Sequence, residues 1–209
     1  LLVNKKMEES AVDNRASEQV VGIILAAGAG SRFGSDKRQL IGPTGESMLH
    51  SVLATYRPCF DTLLVVIPAH DEFGLAACEN FSALPIVNAN SDEGMGSSLR
   101  AAATWLQQQA LMRACVIGLA DMPLIRSETV CAIRDLVALH NEPVVACTQT
   151  QLGFPRALPQ QYFSQLAQLH GDVGARAVVE WSSARKFFVE DASVLLDIDT
   201  PQDRVRWGR

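Results

Sequence analysis

Residues 22–37 read G-I-I-L-A-A-G-A-G-S-R-F-G-S-D-K. With Val20 and Val21 ahead of them, Ile23, Ile24 and Leu25 complete a short apolar, β-branched run. That is the composition of a strand buried on both faces of a parallel sheet. Ala26, Ala27, Gly28, Ala29 and Gly30 then carry almost no side chain, so a ligand or another backbone can approach closely. A bare loop at the end of a strand exposes a row of N–H groups, and such concavities bind anions. Arg32 and Lys37 add a forked and a point positive charge suited to phosphate. The stretch reads as a polyphosphate cradle. A dinucleotide fingerprint needs G-x-G-x-x-G, whereas Gly28, Gly30 and Gly34 are spaced G-x-G-x-x-x-G, and no G-K-[ST] of a Walker loop follows Gly28. A plain glycine-rich turn is the other reading.

A chain of 209 residues is long enough for one substantial domain. With 48% hydrophobic and 20% charged residues its composition is that of an ordinary soluble protein. A net charge of −5 argues against nucleic acid as a partner. No apolar run reaches the roughly 18 residues of a membrane span. Residues 1–18 are polar and lack the apolar core of a signal peptide, so they are expected to be a disordered tail before a domain over 19–206, in a cytoplasmic protein. The five cysteines have no C-x-x-C spacing and are expected to be buried thiols in a reduced cytosol, not disulfides or metal ligands. The histidines are scattered singly, which leaves no zinc pattern or histidine-based triad.

Along the chain, a second buried strand is expected at 62–67 and further strands at 84–87, 114–119 and 144–147, with two late strands at 187–189 and 194–198. Ser47 caps a helix carrying Met48, Leu49, Val52, Leu53 and Tyr56 on one face, ended before Pro58. Residues 71–80 are weakly helical. Ser97 is placed to cap a helix with Leu99, Ala102, Ala103 and Leu106, and Ser127 one with Val130, Ile133 and Val137. An amphipathic helix is expected over 159–169, and another is expected to start at Asp172. The strand–helix–strand order implies right-handed crossovers and a parallel sheet, whose ligands bind at the carboxyl ends of the strands. Asp121 stands at such an end, after 114–119. A carboxylate there initiates the turn before Pro123, or is solvated, paired or bound to a hard cation such as Mg²⁺.

L-A-A-G-x-G-S-R-x-G-x-x-K, from Leu25 to Lys37, resembles the signature of the MobA-like nucleotidyltransferases. Its L-A-A-G form is most similar to the molybdenum cofactor cytidylyltransferase branch, and the guanylyl branch usually has Gly at the Ala27 position. The resemblance runs from about Val20 to Val205. It implies a three-layer α/β/α Rossmann-like domain with a mostly parallel, roughly seven-stranded sheet that includes one late antiparallel strand. It also implies a nucleotide site of Leu25, Ala26, Ala27, Gly28, Gly30, Ser31, Arg32 and Lys37 around a triphosphate. N-x-x-x-x-x-G-M-G-S-S-L resembles the family's second motif, which would bring Asn88, Gly96 and Ser97 to the nucleoside. Asp121 matches the metal-binding aspartate of L-A-D-x-P-L, with Met122 where Gln is common. In D-x-D-T-P-x-D, Asp199 would return as the second Mg²⁺ ligand. Gly153-Phe154-Pro155 matches a G-x-P motif bordering the acceptor, with Phe in place of the frequent His. Gly171–Arg176 resembles G-D-x-G-A-R.

The activity implied is Mg²⁺-dependent transfer of CMP from CTP to the phosphate of molybdopterin with release of pyrophosphate. Arg32, Lys37 and Asp121 would carry the catalysis, and a molybdoenzyme or its chaperone would be the protein partner. Three alternatives stay open: GTP as donor, another phosphorylated acceptor, or a non-catalytic partner that binds the cofactor. The H-D-A-A-R-P stretch of the related isoprenoid-pathway cytidylyltransferases is absent.

Overall fold

The computed structural model describes residues 19–28 and 36–200, together with Ser17, Asp203 and Trp207. The expected tail and the loop residues Gly30, Ser31 and Arg32 lie outside the described residues.

Seven strands form one sheet: β1 (Val20–Leu25), β2 (Leu63–Pro68), β3 (Leu84–Asn88), β4 (Ala114–Leu119), β5 (Val144–Cys147), β6 (Leu152–Pro159) and β7 (Arg185–Phe188). Their order is β3-β2-β1-β4-β6-β5-β7. Every neighbouring pair is parallel except those made by β6, which runs antiparallel between β4 and β5. Among the described residues the helices are α1 (Met48–Tyr56), α2 (Glu72–Asn80), α3 (Met95–Gln107), α4 (Ser127–His140) and the short α5 (Phe163–Leu166).

Alternation along the central strand decides the layers. Val20 and Ile24 of β1 join the core under α1, α2 and α4, with Leu49, Ala77, Val130 and Ile133. Val21, Ile23 and Leu25 join the opposite core under α3 and α5, with Leu99, Leu106, Phe163 and Trp181. Burial on both faces accounts for the unbroken apolar reading of β1. The three-layer α/β/α class and the mostly parallel seven-stranded sheet are as expected.

Several local expectations are corrected. Residues 194–198 form no strand. A 3-10 turn at Ser193–Leu195 leads into an irregular strap whose apolar anchors, Val194 and Ile198, are fully buried. The seventh strand is instead β6. Gly153, Pro155 and flanking polar residues obscure its pattern, and its ladder to β5 shifts between Val145 and Cys147, where Pro155 has no N–H to give. The expected helix at 159–169 is a 3-10 turn, Gln160–Tyr162, followed by α5, although Phe163, Leu166 and Leu169 are all buried as its pattern implied. At Asp172 no helix starts; a 3-10 turn follows at Ala175–Ala177. Two caps also move. Gly94, at φ 102°, starts α3, and Arg126 precedes α4, where the Ser127 hydroxyl donates to Thr55 O at 2.8 Å and ties α4 to α1.

Cys78, Cys115 and Cys147 are buried thiols as expected, and burial pushes the Cys115 thiol up to about 12. Cys59 and Cys131 are not: they form a disulfide between the turn after α1 and the first turns of α4. Sequence spacing could not show it, because the two cysteines are 72 residues apart and meet only through helix packing. Closing so long a loop restricts the unfolded chain, an effect of about 2–4 kcal/mol. Cys131→Ser, or reduction of the native chain, should lower the unfolding free energy by that amount in urea titrations run with and without dithiothreitol.

Candidate functional site

The site lies at the carboxyl ends of β1 and β4. Ala120 N–H donates to Leu25 O at 3.1 Å, which locks the two strand ends together. The chain passes Asp121 and returns, 77 residues later, as the strap: Ile198 N–H donates to Asp121 O at 2.8 Å. That bond sets Asp199 beside Asp121. Just beyond it, Thr200 donates its N–H and its hydroxyl to Asp203 Oδ2 at 2.9 and 2.6 Å, as a helix cap with an acidic third residue does.

Between the two aspartates stands Lys37. Its ammonium donates to Asp121 Oδ2 at 2.7 Å and to Asp199 Oδ1 at 2.6 Å. Burial disfavours the charge on Lys37, but the two carboxylates outweigh it and hold the ammonium above its ordinary value. A third carboxylate is close by. Burial, reinforced by Asp199 and Asp121, pushes Asp197 up. The other oxygen of Asp121, Oδ1, is buried without a hydrogen-bond partner among the described residues. An acceptor atom in that state is poised for a further cation.

Lys37 is held by its neighbour. Asp36 accepts the Arg38 N–H at 3.1 Å and opens a 3-10 turn over Lys37–Gln39. The Arg38 guanidinium, 8% exposed as a residue, grips Asp36 through Nε at 2.8 Å and Nη2 at 2.7 Å. It also bonds Asp71 through Nη1 and, at 3.1 Å, Nη2, and donates to Ala26 O at 3.0 Å. Burial opposes this charge too; the bonds to Asp36 and Asp71 outweigh it and raise Arg38 above its ordinary range. Asp71 is itself the cap of α2, accepting from Gly74 N–H at 3.0 Å. The network joins the residue after β1 to the turn carrying Lys37 and to the helix after β2. Sequence reasoning missed it. The available signal was Asp36-Lys37-Arg38, a charged triplet closing the glycine-rich loop.

The other expected residues fall as follows. Leu25, Ala26 and Ala27 are buried at the end of β1, and Gly28 is exposed, with no heavy atom of the described residues within 4 Å of where a Cβ would stand. Asn88 ends β3 and is 4% exposed. Its Nδ2 donates to Ser97 Oγ at 2.8 Å and Ser98 Oγ at 3.1 Å, and its Oδ1 accepts from Asn90 N–H at 3.0 Å. Asn88 therefore clamps the start of α3 to the end of β3. A Cβ on Gly94 would stand 2.7 Å from the Asp172 Cα, and one on Gly96 2.7 Å from Gly171 O. Those two glycines let residues 170–173 lie directly against α3, and Gly96 N–H donates to Gly171 O at 2.9 Å. Arg100 adds bonds to Leu169 O at 3.0 Å and Glu93 Oε2 at 2.8 Å.

Two cavities open beside this centre. One, of about 320 Å³, has an apolar floor of Leu25, Leu99 and Ile117 and is flanked by Met95, Asp172 and Arg176. The other, of about 480 Å³, runs from Met122 and Gly153 to Val194 and Asp197. Phe154 and Arg156 border both. Gly153 and Phe154 thus reach a cavity wall, while Pro155 faces the other side of β6 and is buried.

A family model, the MobA-like NTP transferase domain, matches residues 22–186, and the chain belongs to that family. The chain is 28% identical to the probable molybdenum cofactor guanylyltransferase of Mycobacterium avium, over 90% of its own length and 94% of the relative's. It is 25% identical to the molybdenum cofactor cytidylyltransferase of Escherichia coli, over 87% and 91%. It also matches the bifunctional protein GlmU of Lawsonia intracellularis at 30% identity over 118 residues, but spans only 26% of that relative's length. Among solved structures, Rv0371c of Mycobacterium tuberculosis in complex with manganese superposes with a TM-score of 0.71 at 26% identity, covering 90% of this chain and 97% of that one.

Two outcomes test the site's construction. Arg38→Met strands Asp71 as an uncompensated buried charge and should cost about 3–5 kcal/mol in chemical unfolding, whereas Asp71→Asn should cost less. Because its folded pKa is raised, Lys37 contributes its full stabilisation below 10.5 and loses it only as pH rises through the higher folded value. The stability gap between the native chain and Lys37→Met should therefore hold from neutral pH to about 10 and close in stronger alkali.

Proposed function

We propose that this chain is a nucleotidyltransferase that moves CMP from CTP to the phosphate of molybdopterin and releases pyrophosphate. One observation carries the reading: a cation from the loop after β1 sits between two carboxylates brought together from strand end and strap, at the edge where such sheets take their ligands. Family membership and the two molybdenum cofactor relatives support it, and they support cytidylyl and guanylyl transfer about equally. Ala27 in the L-A-A-G form favours CTP by resemblance to the cytidylyl branch.

The chemistry follows from the charges. An oxygen of the acceptor phosphate forms a bond to the α-phosphorus while the bond from that phosphorus to the α,β-bridging oxygen breaks. The electron pair departs on pyrophosphate. A phosphate monoester is already anionic at neutral pH, so no general base is needed. Negative charge grows on the leaving group, and preorganised donors and cations supply most of the rate. Lys37 neutralises phosphate oxygens, and Arg32 is assigned the same role. Leu25, Ala26, Ala27, Gly28, Gly30 and Ser31 offer close backbone approach, and Asn88, Gly96 and Ser97 shape the nucleoside side through the clamped start of α3.

The donor set fits a divalent cation. Asp121 and Asp199 converge on one positive charge, and Asp121 Oδ1 is a buried carboxylate oxygen without a partner among the described residues. Magnesium sites of this kind use one or two carboxylates and complete their shell with water and substrate phosphates. Among the described residues no cluster of three His, Cys, Asp or Glu forms a site complete without substrate. Bound there, Mg²⁺ would polarise the α-phosphate. The manganese complex of the mycobacterial relative is in keeping with such an ion.

The test is pyrophosphate release with Mg²⁺ and each of CTP, GTP, ATP and UTP, with and without molybdopterin. Release with CTP and the pterin alone is the expected result; release with GTP would reassign the donor. Nucleotide binding without release would point to another phosphorylated acceptor, and no nucleotide binding would overturn the reading. Asp121→Asn should lower turnover at least about 100-fold while circular dichroism stays native.

A further inference from the structure

Arg156 lines both cavities and has no acidic partner among the described residues. Arg38, by contrast, is saturated by Asp36 and Asp71, and Arg100, Arg126, Arg134 and Arg185 each pair with a carboxylate. Among the described residues, Arg156 makes one hydrogen bond, from Nε to Gly153 O at 3.0 Å. Its guanidinium carbon stands 4.7 Å from the Phe154 ring centroid and 4.9 Å from that of Trp181. Two aromatic faces and one carbonyl thus fix the plane of the fork and leave both Nη groups unspent. Aromatic faces return less to a cation than the loss of water costs it. Burial accordingly lowers Arg156 from its ordinary value.

Its location says what completes it. Arg156 borders both cavities, so its fork stands at the boundary between the apolar-floored one beside α3 and the one that ends at Asp197. The first cavity has a second cation, Arg176. The second is lined by Leu119, Met122, Leu152 and Val194 together with amides and Asp197, and Arg156 is its one cation among the described residues. An anionic group entering it would otherwise face only Asp197, beside Asp121 and Asp199. A planar guanidinium with two free edges matches the oxygens of a phosphate.

We propose that Arg156 determines acceptor specificity by holding the acceptor's phosphate monoester in the cavity between Gly153, Val194 and Asp197. This rests on the nucleotidyl-transfer reading for the word acceptor; the anion site itself does not. The guanidinium keeps the attacking oxygens at the boundary with the nucleotide cavity and offsets the carboxylates that would repel them. Phe154 then has a physical role. Its ring, two residues before Arg156 in β6, gives the guanidinium an aromatic face to rest on.

The test uses the full chain and inorganic phosphate as probe, followed by phosphorus NMR, alone and with CTP and Mg²⁺ present, while CTP and GTP affinities are measured by calorimetry. Arg156→Met keeps the apolar stem against Trp181 and removes the charge. It should weaken phosphate binding at least tenfold and leave CTP affinity within twofold. Arg156→Lys, with the charge but not the fork, should fall between the two, and Asp197→Asn should tighten phosphate severalfold. Unfolding midpoints of each variant separate loss of the site from loss of the fold. Phosphate binding that is undetectable in the native chain, or unchanged in Arg156→Met, would overturn the proposal. An equal loss of CTP affinity in Arg156→Met would do so as well, by giving the guanidinium to the nucleotide. Arginine-dependent phosphate binding in a native chain that binds neither CTP nor GTP would leave the anion site standing and overturn the nucleotidyl-transfer reading instead.

Discussion

One ammonium group holds the working end of this molecule together. Lys37, from the loop after the first strand, reaches Asp121 at the end of the fourth and Asp199 in the final strap, 84 and 162 residues away in sequence. Without a cation between them, two carboxylates at that spacing would repel each other in a place partly shielded from water. With it, the strap is drawn against the strand end, and Ile198 N–H completes the contact on Asp121 O. Arg38 supplies the rigidity, because its neighbouring Lys37 can be aimed only if the turn that carries both is fixed.

The arrangement suits phosphate chemistry because its charges are placed before any ligand arrives. Catalysis by preorganised charge requires that little rearranges when charge develops. Here the cost of that order is borne by buried networks: Arg38 with Asp36 and Asp71 on one side, and Asn88 with Ser97 and Ser98 on the other. Both networks tie a strand end to the start of the element that follows. The two cavities share a wall that β6 supplies. An antiparallel strand inserted into a parallel sheet presents its residues from the opposite direction, which is how Phe154 and Arg156 come to face an edge otherwise built from strand ends.

Much of the frame was legible because its signals are local. The apolar runs of β1, β2, β4 and β5, the short strand β3, and the helix faces of α1, α3 and α4 are patterns that a short window contains. The misreadings are equally physical. Residues 194–198 look like a strand because they are apolar, yet their buried positions are those of a strap pressed on β6, where Val194 O leaves no room for a Cβ on Gly153. Residues 152–159 look like a loop because glycine and proline interrupt them, yet strands on both sides supply the pairing. Ser97 has the chemistry of a cap but gives its hydroxyl to Gly94 O at 2.8 Å and accepts from Asn88, so the helix opens at Gly94 instead.

By itself, then, the sequence determined the kind of sheet and picked out three charged groups, Lys37, Asp121 and Asp199, which the fold brings together. Each follows from composition, short-range pattern or a motif contained in one segment. Only the tertiary structure decided what those groups do to one another: that Lys37 bridges the two aspartates, that Arg38 anchors the turn, that Cys59 meets Cys131, and that Arg156 stands between two cavities without an acid among the described residues. All of these are contacts between residues far apart in the chain. Their energies depend on burial and distance, and neither quantity exists until the strands and helices have been brought together.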